Sequence, residues 1–236
     1  MNGTLIAAFL RHRMTTPIRL VFLIVAAFFP LLFIAAAPAM GFTPMADSFA
    51  FALIFGAGMI GQDVSSGVLQ LLFARPVRRD VYVISRWLAA SFGAAAVAVV
   101  QVGLATLILS ARGATPEAGT VAITAANHIA SAFGATAPLL LLSALVAGLA
   151  DIGLLFLLYT CAGILQAAGG GLGSALVSRA GQEIQAFMNP TIDFARILSG
   201  SPSWYSVIAY VSTVTLSIAL AIVLVNRKEL SYASSA

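Results

Sequence analysis

Charge is scarce in this sequence: 8% of its 236 residues are Asp, Glu, Lys or Arg, against roughly 25% in a soluble domain. With 61% of the residues hydrophobic, no water-soluble surface can be assembled, and lipid is the solvent to argue with. Lysine is almost missing. Lys228 stands alone and is followed by Glu229, so a GxxxxGK[ST] phosphate loop, whose lysine must reach the phosphates, is excluded. Cys161 is the single cysteine, which rules out an internal disulfide and any CxxC metal site. Histidine is limited to His12 and His128, too few for a histidine-rich metal centre. Gly171-Leu172-Gly173-Ser174 resembles a serine on a glycine-rich turn, yet nucleophilic catalysis needs a histidine within reach. His12 falls among the first arginines and His128 at the opposite end of a span, so the chain is not read as an enzyme.

What the sequence has in abundance is apolar runs. A membrane span needs about 20 mainly apolar residues and must satisfy its backbone internally. The runs predict an all-α integral membrane protein forming one domain over 1–236, with about six spans near 18–37, 48–61, 87–109, 129–149, 152–174 and 205–225. The second run is short and needs helical flanks to cross. The first run, Ile18 to Ala37, is 20 residues long. That exceeds the roughly 7–15 of a signal-peptide core, so it reads as a span rather than a cleaved leader. The stretch 129–176 holds 48 residues, a helix of roughly 70 Å or about twice the hydrocarbon thickness. It therefore folds into two spans turning near Gly148 to Asp151, with Asp151 as the natural point of contact with water.

Arginine distribution gives orientation. Arg11, Arg13 and Arg19 precede the first span, Arg75, Arg78, Arg79 and Arg86 lie between the second and third, and Arg227 with Lys228 follow the last. Placing these nine in the cytoplasm leaves three, Arg112, Arg179 and Arg196, outside, in the sense of the positive-inside rule. Both termini are then cytoplasmic, in a bacterial-type inner membrane. Arginine clusters at the ends of apolar runs are topology signals, not a nucleic-acid surface. The outer segment 176–203 carries Ile184, Phe187 and Met188 on one helical face opposite Gln182 and Glu183, the pattern of an interfacial or re-entrant helix. Trp204 and Tyr205 at one edge, with Tyr82 and Trp87 at the other, suit an interfacial aromatic belt. Gln101 and Gln166 read as bridges between helices, and the glycines at 56, 58, 61 and 169–173 as sites of close helix packing.

The most informative stretch runs from Gly61 to Arg79, with a predicted cytoplasmic segment over 62–82. Val64, Val68, Leu71 and Leu72 fall at i, i+4, i+7 and i+8, with Asp63, Ser66 and Gln70 on the other side. Pro76 ends the predicted helix, and Arg75, Arg78 and Arg79 meet its last turn, where carbonyls favour cations. Such a helix either lies on lipid headgroups or docks in a groove on a partner.

This stretch resembles the segment after the second span of type-2 ABC transporter permeases, approximately E-x-x-x-G-T-L-x-x-L-L-x-x-P-V-x-R. Asp63, Gly67, Leu69, Leu72, Pro76, Val77 and Arg79 occupy the matching positions. Asp63 replaces the usual glutamate and Val68 the usual threonine. An arginine-bearing amphipathic segment at Leu5 to Arg13, Asn189-Pro190 before the last span, and Asn226-Arg227-Lys228-Glu229-Leu230 extend the likeness loosely over most of the chain.

The resemblance implies a permease subunit, engaged in export, that pairs with a second copy or homologue and with two cytoplasmic ATP-binding subunits. ATP and Mg would be bound by those partners and no cofactor by this chain. The coupling helix would present Asp63, Val64, Ser66, Gly67, Val68, Gln70, Leu71, Leu72, Arg75, Pro76, Arg78 and Arg79 to the ATPase. The alternative is a non-ABC secondary transporter or a membrane scaffold subunit.

Overall fold

A computed structural model describes residues 3–45, 48–69 and 78–233, and among these the fold is entirely helical. In chain order the helices are α1 (Gly3–Met14), α2 (Pro17–Ala36), α3 (Phe49–Gly56), α4 (Gly61–Ser65), α5 (Arg79–Ala111), α6 (Ala118–Leu145), α7 (Ala150–Gly171), α8 (Ala175–Met188), α9 (Phe194–Leu198) and α10 (Trp204–Ala233). Five of them, α2, α5, α6, α7 and α10, are long and apolar enough to cross a membrane.

Helix α6 is the axis of the bundle. Its most apolar stretch is 83% buried, against 11% for those of α2 and α10. The reason is legible in its side chains: Ala132, Ala135, Leu139 and Leu140 are fully buried against Ala90, Ala94 and Ala98 of α5. Lipid tails give helices no hydrophobic incentive to associate, so small side chains that permit close van der Waals contact do that work. The outer helices turn large apolar residues such as Phe22, Phe29, Leu157 and Ile208 outward, as a lipid-facing surface requires.

The second expected span is not one unbroken helix, although its run reaches from His128, met by Ser48, to Ser143 near the other end of α6, met by Ile60. Helix α3 has eight residues, about 12 Å at 1.5 Å per residue, short by itself of a hydrocarbon layer of about 30 Å. It stops because Gly58 adopts φ +65°, a left-handed conformation that glycine takes without steric cost. The helical flank assumed for this run is present as α4 but interrupted: a turn over 57–60 separates it from α3.

A single amphipathic helix from Asp63 to Pro76 is likewise not formed. Helix α4 ends at Ser65 and Gly67 sits at φ +71°. Val64 packs toward the core while Val68 is exposed, so the two do not share one continuous face. Gln70, Leu71, Leu72, Arg75 and Pro76 lie outside the described residues.

Helix α8 doubles back along α7. The turn between them has Gly173 at φ +64°, and the return is close. A Cβ on Gly169 would stand 2.3 Å from the Ser178 nitrogen, and one on Gly181 would stand 2.5 Å from the Ala162 carbonyl. Ala162 lies nine residues from the end of α7, so α8 runs back along α7 by about 14 Å. Its Met188 reaches the central core.

Candidate functional site: a helix break held by buried charges

An interrupted helix leaves peptide groups without partners, and away from water each must find one. At the α3–α4 break the partners are charged side chains from distant helices. The Ala57 carbonyl accepts from Arg13 of α1 at 2.5 Å and from Arg19 of α2 at 3.2 Å. The next group along, the Gly58 N–H, donates to Asp151 of α7 at 2.6 Å. These two groups belong to one peptide unit, so its negative pole meets guanidinium and its positive pole meets carboxylate. Charge-assisted bonds of this kind are roughly twice as strong as neutral ones.

The turn is closed from α6. The Ser143 hydroxyl accepts the N–H groups of Ile60 and Gly61, each at 3.0 Å. The Gly61 carbonyl accepts from the Gly148 N–H at 2.7 Å. Only glycine fits at 61, because a Cβ would lie 2.6 Å from the Gly148 carbonyl and 2.7 Å from that of Val146.

Two residues beyond Gly61, a second charged contact anchors α4. The Asp63 carboxylate accepts from the Tyr82 hydroxyl at 2.5 Å and pairs with Arg86, both on α5. The Arg86 guanidinium also lies 3.5 Å above the Phe9 ring of α1, and Phe9 meets Tyr82 edge to face. Arg86 and Arg13 are each 6% exposed. Burial, reinforced by the nearby Arg19 and Arg86, pulls the Arg13 guanidinium below the usual arginine range. Helix α5, at 33 residues or about 50 Å, is longer than the hydrocarbon is thick. Its first turns bring Tyr82 and Arg86 to the level of α1, where both meet Phe9.

Several expectations are corrected here. Asp151 does not contact water; it is completely buried and serves the break. Tyr82 is no belt residue but is fully buried on Asp63. Trp87 turns inward to donate to the Phe133 carbonyl at 3.3 Å. At the other edge Trp204 and Tyr205 are exposed as the belt pattern requires, with Tyr205 donating to Glu183.

Of the sequence-designated contact residues, Asp63 and Val64 face the protein interior. Ser66 bonds back to the Gln62 carbonyl at 2.7 Å and is exposed. Val68 is exposed, and Arg78 pairs with neighbouring Asp80 at the surface. Arg79 opens α5. Gln101 bridges helices as expected, donating to the Ala26 and Ala27 carbonyls of α2. Gln166 packs against Gly181, but its Nε2 has no hydrogen-bond partner among the described residues.

Sequence reasoning missed Arg13, Arg19, Arg86 and Asp151 as members of one site, having used the arginines as topology markers and Asp151 as a turn residue in contact with water. The available signal was the cost of an ionisable group beside an apolar run, which makes a partner a near necessity. Comparison of the chain with protein-family models, with curated proteins and with solved structures finds no match.

Proposed function

We propose that the chain is the permease subunit of a type-2 ABC exporter, coupled through the Asp63 to Arg79 segment to a separate ATP-binding subunit. The observation that supports this reading is the wiring of the break. The residues leading into that segment are tied to α1 and α2 through Ala57, to α5 through Asp63, to Ser143 of α6 through Gly61 and to α7 through Gly58. A push on a docked segment would reach five helices through short, charge-assisted bonds rather than dissipate in a loop. Ser66, Val68 and Arg78, being exposed, are available to such a partner. ATP and Mg would be held by the ATPase, and a second permease copy or homologue would complete the transport path for an unidentified substrate.

The test is copurification of a stoichiometric ATPase with the membrane-embedded chain, repeated with Gly67→Pro and Arg75→Glu. Loss of the ATPase, or of transport-coupled hydrolysis, is the expected outcome. Intact assembly and coupling in both variants would remove the docking assignment.

A secondary-transport reading draws on Asp151, a fully buried acid, since buried ionisable groups in membranes carry protons or ions. Against it, the carboxylate already accepts from Gly58 and Ile152 backbone N–H groups. Nucleotide-independent uptake or efflux that disappears in Asp151→Asn would favour it.

A further inference from the structure

At the end of the bundle opposite the break, α6 carries Thr124, Asn127, His128 and Ser131. Their spacing, i, i+3, i+4 and i+7, makes one polar stripe on a helix otherwise rich in alanine and leucine. All four residues line a cavity of about 360 Å³, within the roughly 300–1,000 Å³ of small-molecule sites. Phe42 and Met45 supply an apolar wall, and Thr191 and Asp193 close the opposite side.

That far wall is fixed rather than loose. Asn127 Oδ1 accepts the Phe194 N–H at 2.9 Å, and Gly134 lets the Pro190 carbonyl come within 2.5 Å of where a Cβ would be. His128 is steadied by Ser48 at 3.1 Å. With its oxygen engaged, the Asn127 amide has its NH2 left to donate. Asp193 caps α9 through Ala195 and Arg196 N–H groups and lies 3.5 Å from the Arg196 guanidinium, so this rim carboxylate is held by local partners. Ser131 is 2% exposed and its hydroxyl has no hydrogen-bond partner among the described residues, a condition that a polar guest or a bound water relieves.

We propose that this cavity is a binding site for a small, uncharged, polyhydroxylated group such as a sugar ring. With the Thr124 hydroxyl already donating to the Thr120 carbonyl, the stripe offers the Thr124 oxygen as an acceptor, the Asn127 NH2 as a donor and the Ser131 hydroxyl as either, which suits hydroxyls that both give and take hydrogen bonds. The Phe42 and Met45 wall suits the C–H face of a ring, and Asp193 adds a carboxylate acceptor for ring hydroxyls. The site does not depend on coupling to an ATPase. The same chemistry is presented by a free sugar and by a glycolipid headgroup.

The test uses the full chain in nanodiscs with free D-glucose, free myo-inositol, or vesicles carrying monoglucosyl diacylglycerol as probes. Binding is read by the thermal midpoint and by protection of Thr191→Cys, in a Cys161→Ala background, from maleimide. The expected result is saturable protection and a raised midpoint with at least one probe. Its affinity falls at least tenfold in Ser131→Ala and in Asn127→Asp, the latter keeping the acceptor for Phe194, while the unliganded midpoints stay within a degree or so. Activity of a free sugar identifies a soluble ligand; activity of the vesicles alone identifies a headgroup. Absence of saturable protection by all three probes, undiminished binding in both variants, or stronger protection by choline or inorganic phosphate would overturn the proposal. Arg75→Glu, which addresses the ATPase reading, is expected to leave the binding intact.

Discussion

Arg13 and Asp151 hold opposite poles of the same peptide unit, the one joining Ala57 to Gly58. The two poles are not equally insured. Ala57 O has two donors, Arg13 and Arg19, whereas Asp151 is the bond partner observed for the Gly58 N–H. Asp151→Leu is therefore expected to destabilise the protein by about 1–3 kcal/mol, the cost of a buried donor left unmade. Arg13→Met or Arg19→Met alone is expected to cost less than Asp151→Leu. Thermal unfolding in detergent, followed by tryptophan fluorescence, gives the ranking; equal losses for Asp151→Leu and Arg19→Met would contradict it.

The Asp63–Arg86 pair has side chains 15% and 6% exposed. Removing one partner of such a pair strands the other, at about 3–5 kcal/mol. Asp63→Ala and Arg86→Ala should each be severe and the double variant far milder than their sum, with a coupling energy of about 1–3 kcal/mol in a double-mutant cycle. Strict additivity would mean that the pair contributes nothing as a pair.

Two glycines separate packing from tolerance. Gly61→Ala forces a methyl against two backbone carbonyls and is expected to cost about 1–3 kcal/mol through overpacking. Gly163→Ala meets nothing within 4 Å and should be neutral or slightly stabilising, since alanine is the better helix former by about 1 kcal/mol. Comparing expression and thermal midpoints of the two variants checks this directly.

Orientation is testable with single cysteines in a Cys161→Ser background. Ser66 and Ser201 are both exposed, at opposite ends of the bundle. An impermeant maleimide applied to sealed vesicles should label Ser66→Cys only from the cytoplasmic side and Ser201→Cys only from the other. Labelling of both from one side would dismantle the span arrangement.

Where long apolar runs met no competing interaction, the sequence was a faithful guide. Ile18 to Ala37 became α2 within a residue at each end, and the turn expected between Gly148 and Asp151 falls between α6 and α7. It failed where tertiary partners overrode local pattern. Nothing in the run around Gly56 to Gly61 says that its freed peptide groups will be met by Arg13, Arg19 and Asp151, because those partners lie tens of residues away on other helices. Asp151, read as a wet turn residue, is a polar group whose charge is used inside. Tyr82 and Trp87 have the composition of interfacial residues, and only the neighbours Asp63 and Phe133 reveal that they face inward. The polar stripe from Thr124 to Ser131 was visible by spacing alone, but the wall opposite it, from Thr191 to Asp193, was not.

Helix α1 bears on the order of assembly. Its Arg13 rests on Ala57, and its Phe9 on Tyr82 and Arg86, residues that a ribosome makes well after α1 has emerged. All of these are in place once α5 has begun, whereas the Gly58 pole of the same peptide waits for Asp151 of α7. The seat of α1 is therefore complete before the break itself is closed, and α7, not α1, sets the final latch at this end of the molecule.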